Sequence, residues 1–280
     1  MDLTNLLSSE AVRAHYGSAS LIARVEAAIG SAGLDAPTID WAQFAGIDQF
    51  HVGGAAATAL LSGRLDLNRD TKVIDLGSGL GGPARHLAAT YGCHVTGIDL
   101  NPPYVELANY LARRAGAQTS LEFHVGDVLH PDFADGAFDV VWTQHVAMNI
   151  ADRDTLYAQV HRLLRPGGKF AMYDVLQGDG GALEYPLPWA RETSLSHVVS
   201  AAEQRALLDA NGLRVTTWAD VTPVALEWIA KQAAAAQASK GTFDLRVIMG
   251  DDFPMLLGNL ARNMREGRAM LVQAVALRPG

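Results

Sequence analysis

From residue 72 onward, short apolar runs alternate with segments of helical period, and this alternation restricts the fold more than any other feature of the chain. The runs are KVIDL (72–76), HVTGIDL (94–100), LEFHVGD (121–127), FDVVWTQ (138–144) and KFAMYDV (169–175). Their nearly unbroken apolar character predicts parallel strands covered on both faces. Between them, Asn101 is expected to cap a helix that has Pro102 and Pro103 in its first turn and ends at Gly116. A second segment, starting at Asp152, places Leu156, Val160, Leu163 and Leu164 on one face and stops at Pro166, Gly167 and Gly168. This is βαβ repetition, the pattern of an α/β, doubly wound sheet.

The last third breaks the rhythm. A helix-like EQRALLDANG (203–212) leads to LRVTTWADVT (213–222), then an Ala-rich helical stretch (224–239), a further insert (243–267) and a closing strand, AMLVQAVALRP (269–279). If the closing strand pairs with 213–222, both intervening segments lie outside the sheet as a cap. The first 70 residues, which show no strand-helix alternation, are expected to join that cap.

Composition removes several classes of function. A chain of 280 residues with 49% apolar content supports a large continuous core. Its formal charge of −8 argues against a nucleic-acid partner, because such proteins carry a basic face. No apolar run reaches the roughly 18 residues of a membrane span, and the start, MDLTNLLSSEAVR, lacks a basic stretch followed by an apolar segment. The expectation is a cytoplasmic protein with no membrane association. The single cysteine, Cys93, is expected to be a small buried hydrophobe rather than a nucleophile. No histidine pair has the spacing of a zinc motif, so no metal is expected. The pair Asp251 and Asp252 reads as a solvated turn.

The first strand candidate runs into VIDLGSGLGGPARHLA (73–88), where Gly77, Gly79 and Gly82 fit the glycine pattern of a nucleotide-binding turn. No Gly-Lys-Ser or Gly-Lys-Thr follows, which removes a nucleoside triphosphate loop. A nicotinamide dinucleotide fits the glycines and would use Asp99, at the tip of the second strand, for ribose hydroxyls. Asp75, immediately before the glycines, would oppose a pyrophosphate and suit a cation. The acidic tip of the third strand, Gly126-Asp127-Val128, offers a carboxylate to an adenine amino group.

These elements, in this order, together with the LRPGG turn (164–168) and the additional closing strand, resemble class I S-adenosylmethionine-dependent methyltransferases over about residues 72–176 and the last strands. The resemblance implies a Rossmann-like, seven-stranded, mostly parallel sheet with an antiparallel C-terminal strand, helices on both faces and a helical cap. The corresponding boundaries are a cap segment at 1–70, a cofactor-binding core at 71–222, a cap insertion at 223–267 and a final core strand at 268–280. It further implies that Asp75, Gly77, Ser78 and Gly79 surround the methionine portion of the cofactor and that Asp99 takes both ribose hydroxyls. Asp127 and Val128 would hold adenine, Leu100 would pack on its face, and Gln144 would lie near the sulfonium. A site of this kind tolerates three acidic side chains because the cofactor carries a sulfonium and an ammonium but no phosphate.

The segments DQFHVGG (48–54), WTQHVAMNIADR (142–153) and YDVLQGDGG with YPLPWA (173–190) resemble the branch that methylates small molecules. That branch includes sarcosine and dimethylglycine N-methyltransferases and ubiquinone and sterol methyltransferase-like enzymes. Gln49, His51 and Tyr16 would then close from the cap over the methionine end. His145 and Asn149 follow the fourth strand at the sheet edge where α/β proteins present ligands. A histidine there can take a proton from a nucleophile near neutral pH, which makes His145 the first choice of base and His51 the second. Tyr173, Trp189, Phe253 and Asn259 are candidates for the acceptor wall, and Glu184 is a weaker base candidate. The expected activity is transfer of a methyl group to a small acceptor, at nitrogen or oxygen, or at carbon in a quinone- or isoprenoid-like metabolite. A nicotinamide oxidoreductase and a non-catalytic cofactor-binding module remain open alternatives, and the C-terminal helices leave a homodimer open.

Overall fold

A computed structural model describes residues 21–34, 36–238 and 245–280. Seven strands form one sheet in the order β3-β2-β1-β4-β5-β7-β6: β1 Lys72–Leu76, β2 His94–Asp99, β3 Leu121–Val125, β4 Phe138–Gln144, β5 Leu164–Gln177, β6 Arg214–Asp220 and β7 Ala269–Leu277. The pairs among β1 to β5 are parallel, whereas β7 lies antiparallel between β5 and β6. The expected sheet, including its one reversed strand paired with the 213–222 run, is therefore present.

Strand periodicity explains why the runs look uniformly apolar. Val73, Val95, Val140, Trp142, Ala171 and Val275 enter the core on one face, while Ile74, Ile98, Val141, Phe170, Met172 and Ala274 enter the core on the other. Successive side chains point to opposite faces, and here both faces are covered by helices. On the flanks lie α4 Gly82–Tyr91, α5 Pro102–Arg114, α6 Arg153–Leu163 and α7 Ala201–Ala210.

The N-terminal segment contains α1 Leu21–Ser31, a 3₁₀ turn Trp41–Phe44, α2 Ala45–Asp48 and α3 Gly54–Ser62. The late insert contains α8 Thr222–Ala238, α9 Arg246–Met249 and α10 Phe253–Arg265. Leu21, Val25 and Ile29 of α1 pack with Leu107 and Leu111 of α5 and with Ile248 of α9. Ile229 of α8 and Phe253, Leu257 and Leu260 of α10 join the core beside Leu271 and Val275 of β7. The two segments therefore meet each other and the sheet.

Two local expectations change. The strand expected at 169–175 begins at Leu164: Leu164 pairs with Phe138 before the register slips to Val140 with Lys169. The Pro166 to Gly168 turn is thus a bulge within β5 that is tied to the residue after the last strand, Gly167 N donating to Arg278 O at 2.9 Å. Asn101 occupies the N-cap of α5, but its side chain makes no capping hydrogen bond. With proline in the first turn the helix has fewer free N–H groups to cap, and the amide is left free for another use.

Candidate active site

The strand order reverses between β1 and β4, and the crevice at the C-terminal edge of such a switch point is where open α/β sheets bind ligands. The glycine turn leaves β1 there and His145 leaves β4 beside it. A single cavity occupies this position, lined at one end by the β1, β2 and β3 tips and at the other by Val52, Met148, Pro188, Trp189, Trp228, Met249, Phe253, Leu257 and Leu260.

At the first end the backbone shape is set by glycine. Gly77 has φ 77°, and a Cβ added there would stand 2.5 Å from Val146, so a side chain would be both strained and blocked. Asp99 receives hydrogen bonds from Gly79 N and Asn101 N, each at 2.9 Å, which fixes its carboxylate at the tip of β2 and leaves further lone pairs for a ligand. Asp75 is buried, and its Oδ2 has no hydrogen-bond partner among the described residues. Burial, with the like charge of Asp99 added, pushes Asp75 up to about 8. Asp99 is raised as well, by burial, against the opposing pull of its two N–H donors. Ser78 Oγ and Asn101 Nδ2 are also buried without a partner. Asp127 Oδ1 accepts from Leu129 N at 2.9 Å, and Asp127, Val128 and Leu100 line the same end.

The middle of the cavity carries the polar groups of β4. Gln144 Oε1 accepts from Trp142 Nε1 at 3.0 Å and from Thr58 Oγ1 at 3.2 Å, which turns the amide so that Nε2 is left without a partner. His145 has φ 54°, the left-handed region, and is the one non-glycine residue to adopt it among the described residues. Its N–H donates to Tyr173 O at 2.7 Å, so the strained backbone is held by the neighbouring strand. His145 Nε2 and Asn149 Oδ1 have no partner. Opposite, His51 Nε2 lies 2.9 Å from Gly54 O. A carbonyl only accepts, so this nitrogen carries the proton and Nδ1 holds the free lone pair. Burial lowers His51 to about 4, and burial together with His51 holds His145 well below the ordinary imidazole range. Both rings are neutral at pH 7.

Most of the sequence-derived candidates line this cavity: Asp75, Gly77, Ser78, Gly79, Asp99, Leu100, Asp127, Val128, Gln144, His51, His145, Asn149, Trp189 and Phe253. Three stand back from it. Gln49 is buried beside α3, its Oε1 3.2 Å from the Thr58 hydroxyl. Tyr173 packs its ring against His145 and His51, with centroids 4.9 and 6.0 Å away, and so supports both imidazoles from inside the sheet. Asn259 donates to Pro186 O at 2.9 Å and anchors the 184–190 loop to α10. Tyr16 lies outside the described residues. Glu184 bonds with Arg268 at 2.9 Å, and Asp252 with Arg191 at 2.6 Å, so neither carboxylate faces the cavity.

Sequence reasoning missed Asn101, Trp228, Met249, Leu257 and Leu260, all of which line the cavity. It also missed Asp48. Its Oδ2 meets Arg85 of α4 at 2.8 Å, with both side chains buried, and Arg85 also donates to Leu80 O at 2.5 Å. The pair joins α2 to the turn that carries the glycines. Trp228 had a weak signal, a lone aromatic in an alanine-rich helix, but nothing in the order of residues says that α8 turns it toward β4.

The cavity fits a ligand with a positive end and no phosphate. The glycine turn faces an orphaned carboxylate oxygen of Asp75, with Asp99 and Asp127 nearby, and no Lys or Arg is among the described lining residues.

Comparisons with known proteins bear on this geometry. Residues 74–172 match the family described as methyltransferase domain. The chain is 28% identical over 230 residues to sterol 24-C-methyltransferase ERG6A of Gibberella zeae, covering 78% of this chain and 58% of that protein. It is 35% identical over 119 residues to the glycine/sarcosine/dimethylglycine N-methyltransferase of Actinopolyspora halophila, covering 42% of this chain and 21% of that protein. The chain thus spans between about a fifth and three fifths of the length of these two curated relatives. In three dimensions it resembles geranyl diphosphate C-methyltransferase of Streptomyces coelicolor A3(2), whose structure holds Mg²⁺, geranyl diphosphate and S-adenosyl-L-homocysteine. That match has a TM-score of 0.66 at 20% identity and covers 80% of this chain and 79% of the other. The fold is that of the methyltransferase Rossmann-like proteins.

Proposed function

With a methyltransferase domain matched over residues 74–172 as the premise, we propose that the protein is an S-adenosylmethionine-dependent methyltransferase acting on a small molecule. The observation that carries this reading is the buried Asp75 carboxylate, unpartnered beside Asp99 at a glycine turn. A dinucleotide would bring a pyrophosphate against Asp99 and a buried Asp75 that it cannot help to ionise, whereas S-adenosylmethionine brings an ammonium and a sulfonium that favour both carboxylates. Asp75 and the Gly77 to Gly79 backbone would hold the methionine end, Asp99 the ribose and Asp127 with Val128 the adenine.

When bound, this cofactor supplies a methyl group whose bond to sulfur breaks, both electrons staying on sulfur, as a bond forms in line to the acceptor, leaving neutral S-adenosylhomocysteine. The protein's share of the work is mainly alignment and exclusion of water, and alignment can contribute roughly 7 to 11 kcal/mol. The cap and the 184–190 loop supply the exclusion, with Trp228 and Phe253 of the cap and Trp189 of the loop covering the acceptor end. A hydroxyl or protonated amine acceptor must also lose a proton. His145 Nε2 is buried and without a partner, and the depressed pKa keeps its ring neutral, so its lone pair is available at pH 7. As methyl transfer proceeds the acceptor's proton becomes strongly acidic, so even a weak base suffices. His51 Nδ1 is the second candidate for that proton.

The test is isothermal titration with S-adenosylhomocysteine, NADH and NADPH. Binding of S-adenosylhomocysteine alone, weakened at least a hundredfold in Asp99→Ala, is expected; preference for a reduced nucleotide would overturn the reading. A cytoplasmic location and a homodimer through the C-terminal helices belong to the same proposal, the second checked by light scattering.

A further inference from the structure

The acceptor end of the cavity is unlike its cofactor end in charge. Pro188, Trp189, Trp228, Met249, Phe253 and Leu257 form its wall, and among the described residues lining this end there is no Lys, Arg, Asp or Glu. Phosphate esters are held by guanidinium or ammonium groups, by helix N-termini, or through Mg²⁺ on carboxylates. Asp48 also lines the cavity, with Oδ2 bonded to Arg85 at 2.8 Å, which offsets its charge, and Oδ1 without a partner. A phosphoryl group at this end would lose its hydration and gain no cationic side chain among the described lining residues, a heavy penalty for a buried ion.

The polar atoms that do line the junction are of a different kind. Gln144 Nε2 is a donor, while His145 Nε2 and Asn149 Oδ1 can accept, and none of the three has a partner in the protein. A hydroxyl both accepts and donates and so answers both sets. A protonated amine only donates, leaves the Gln144 amide unanswered and finds no carboxylate among the described residues of the Trp189, Trp228 and Phe253 wall.

Resting on the methyltransferase reading, we propose that the acceptor is an apolar molecule presenting an uncharged hydroxyl group, an alcohol or phenol without phosphate, with its body on the Trp189, Trp228 and Phe253 wall and its hydroxyl at Gln144, His145 and Asn149. The apolar body supplies affinity by burying surface against the aromatic wall. The hydroxyl supplies orientation, because a buried amide and imidazole left without partners penalise any ligand that cannot answer them.

The experiment follows tryptophan fluorescence, which reads binding without turnover through Trp189 and Trp228. The protein is first saturated with S-adenosylhomocysteine, then titrated with geraniol, geranylamine, and geranyl diphosphate plus Mg²⁺, three probes that share one apolar body. Geraniol is expected to saturate at a Kd at least tenfold below either charged probe. Leu257→Lys is expected to weaken geraniol at least tenfold while S-adenosylhomocysteine binding stays within twofold, which also reports that the variant is folded. Equal or tighter binding of the diphosphate or the amine overturns the proposal. So does failure of geraniol to saturate a protein that binds S-adenosylhomocysteine. If S-adenosylhomocysteine itself does not bind, the underlying methyltransferase reading is what falls.

Discussion

Asp75 is the residue whose chemistry depends most on its surroundings. In an unfolded chain it would ionise near pH 4, but buried beside Asp99 it is pushed up to about 8, so at pH 7 the ligand-free protein holds it mainly protonated. A cationic ligand favours the carboxylate, so binding must expel that proton, and affinity must rise with pH until about 8 and then level. Titration of S-adenosylhomocysteine at pH 7 in phosphate and in Tris is expected to reveal close to one proton released per site, and none in Asp75→Asn. Identical heats in the two buffers would contradict the assignment. His145 behaves oppositely. Its pKa is depressed, so its lone pair is free at pH 7, and turnover of a hydroxyl acceptor should be flat between pH 7 and 9 and fall only in acid. His145→Asn keeps a residue tolerant of the left-handed backbone and should lower turnover by roughly 10² to 10⁴-fold with cofactor affinity nearly unchanged. A change confined to KM would make His145 a positioning residue.

At the scale of elements, the glycine turn is held from outside by one buried ion pair. Arg85 of α4 reaches Asp48 of α2 and the Leu80 carbonyl, and a Cβ on Gly82 would collide with the Asp48 carbonyl. The two helices therefore touch with no space between them. Burial raises the Asp48 pKa and the Arg85 guanidinium opposes that rise. Removing one partner strands a buried charge, which costs on the order of 3 to 5 kcal/mol. Arg85→Met is expected to show this loss in urea denaturation, and the double variant with Asp48→Asn should recover part of it. If the single variant loses less than about 1 kcal/mol, the pair is not the tie between these elements. The pair was not legible in the sequence, because positions 48 and 85 belong to different parts of the chain and no periodicity links them. The helix after Asn101 was legible, as Pro102 and Pro103 mark a first turn, yet the role of Asn101 itself was misread because a cap residue and a cavity residue look alike in one dimension.

For the molecule as a whole, one cavity draws on the N-terminal segment, the sheet and the late insert. A ligand that binds there should stabilise all three together, by about 2.7 kcal/mol at a hundred times its Kd. Thermal unfolding with saturating S-adenosylhomocysteine should thus remain a single transition at a higher Tm; an early transition unmoved by ligand would mean that one segment unfolds apart from the site. No helix among the described residues is long and apolar enough to cross a membrane. The sequence by itself determined the strands, the parallel pairing of the first five and which residues meet at the glycine-turn end of the cavity, because those depend on local signals: period-2 burial, proline and glycine at helix ends, and carboxylates placed at strand tips. The tertiary structure alone decided the apolar end opposite the glycine turn. Its wall comes from residues 188, 189, 228, 249, 253 and 257, separated in the chain and brought together only when α8, α9 and α10 pack back across the sheet. It also decided that Gln49, Tyr173 and Asn259 stand behind the cavity. The reason is physical: an apolar or amide side chain carries the same identity whether it faces a ligand or a neighbouring element, and only packing distinguishes the two.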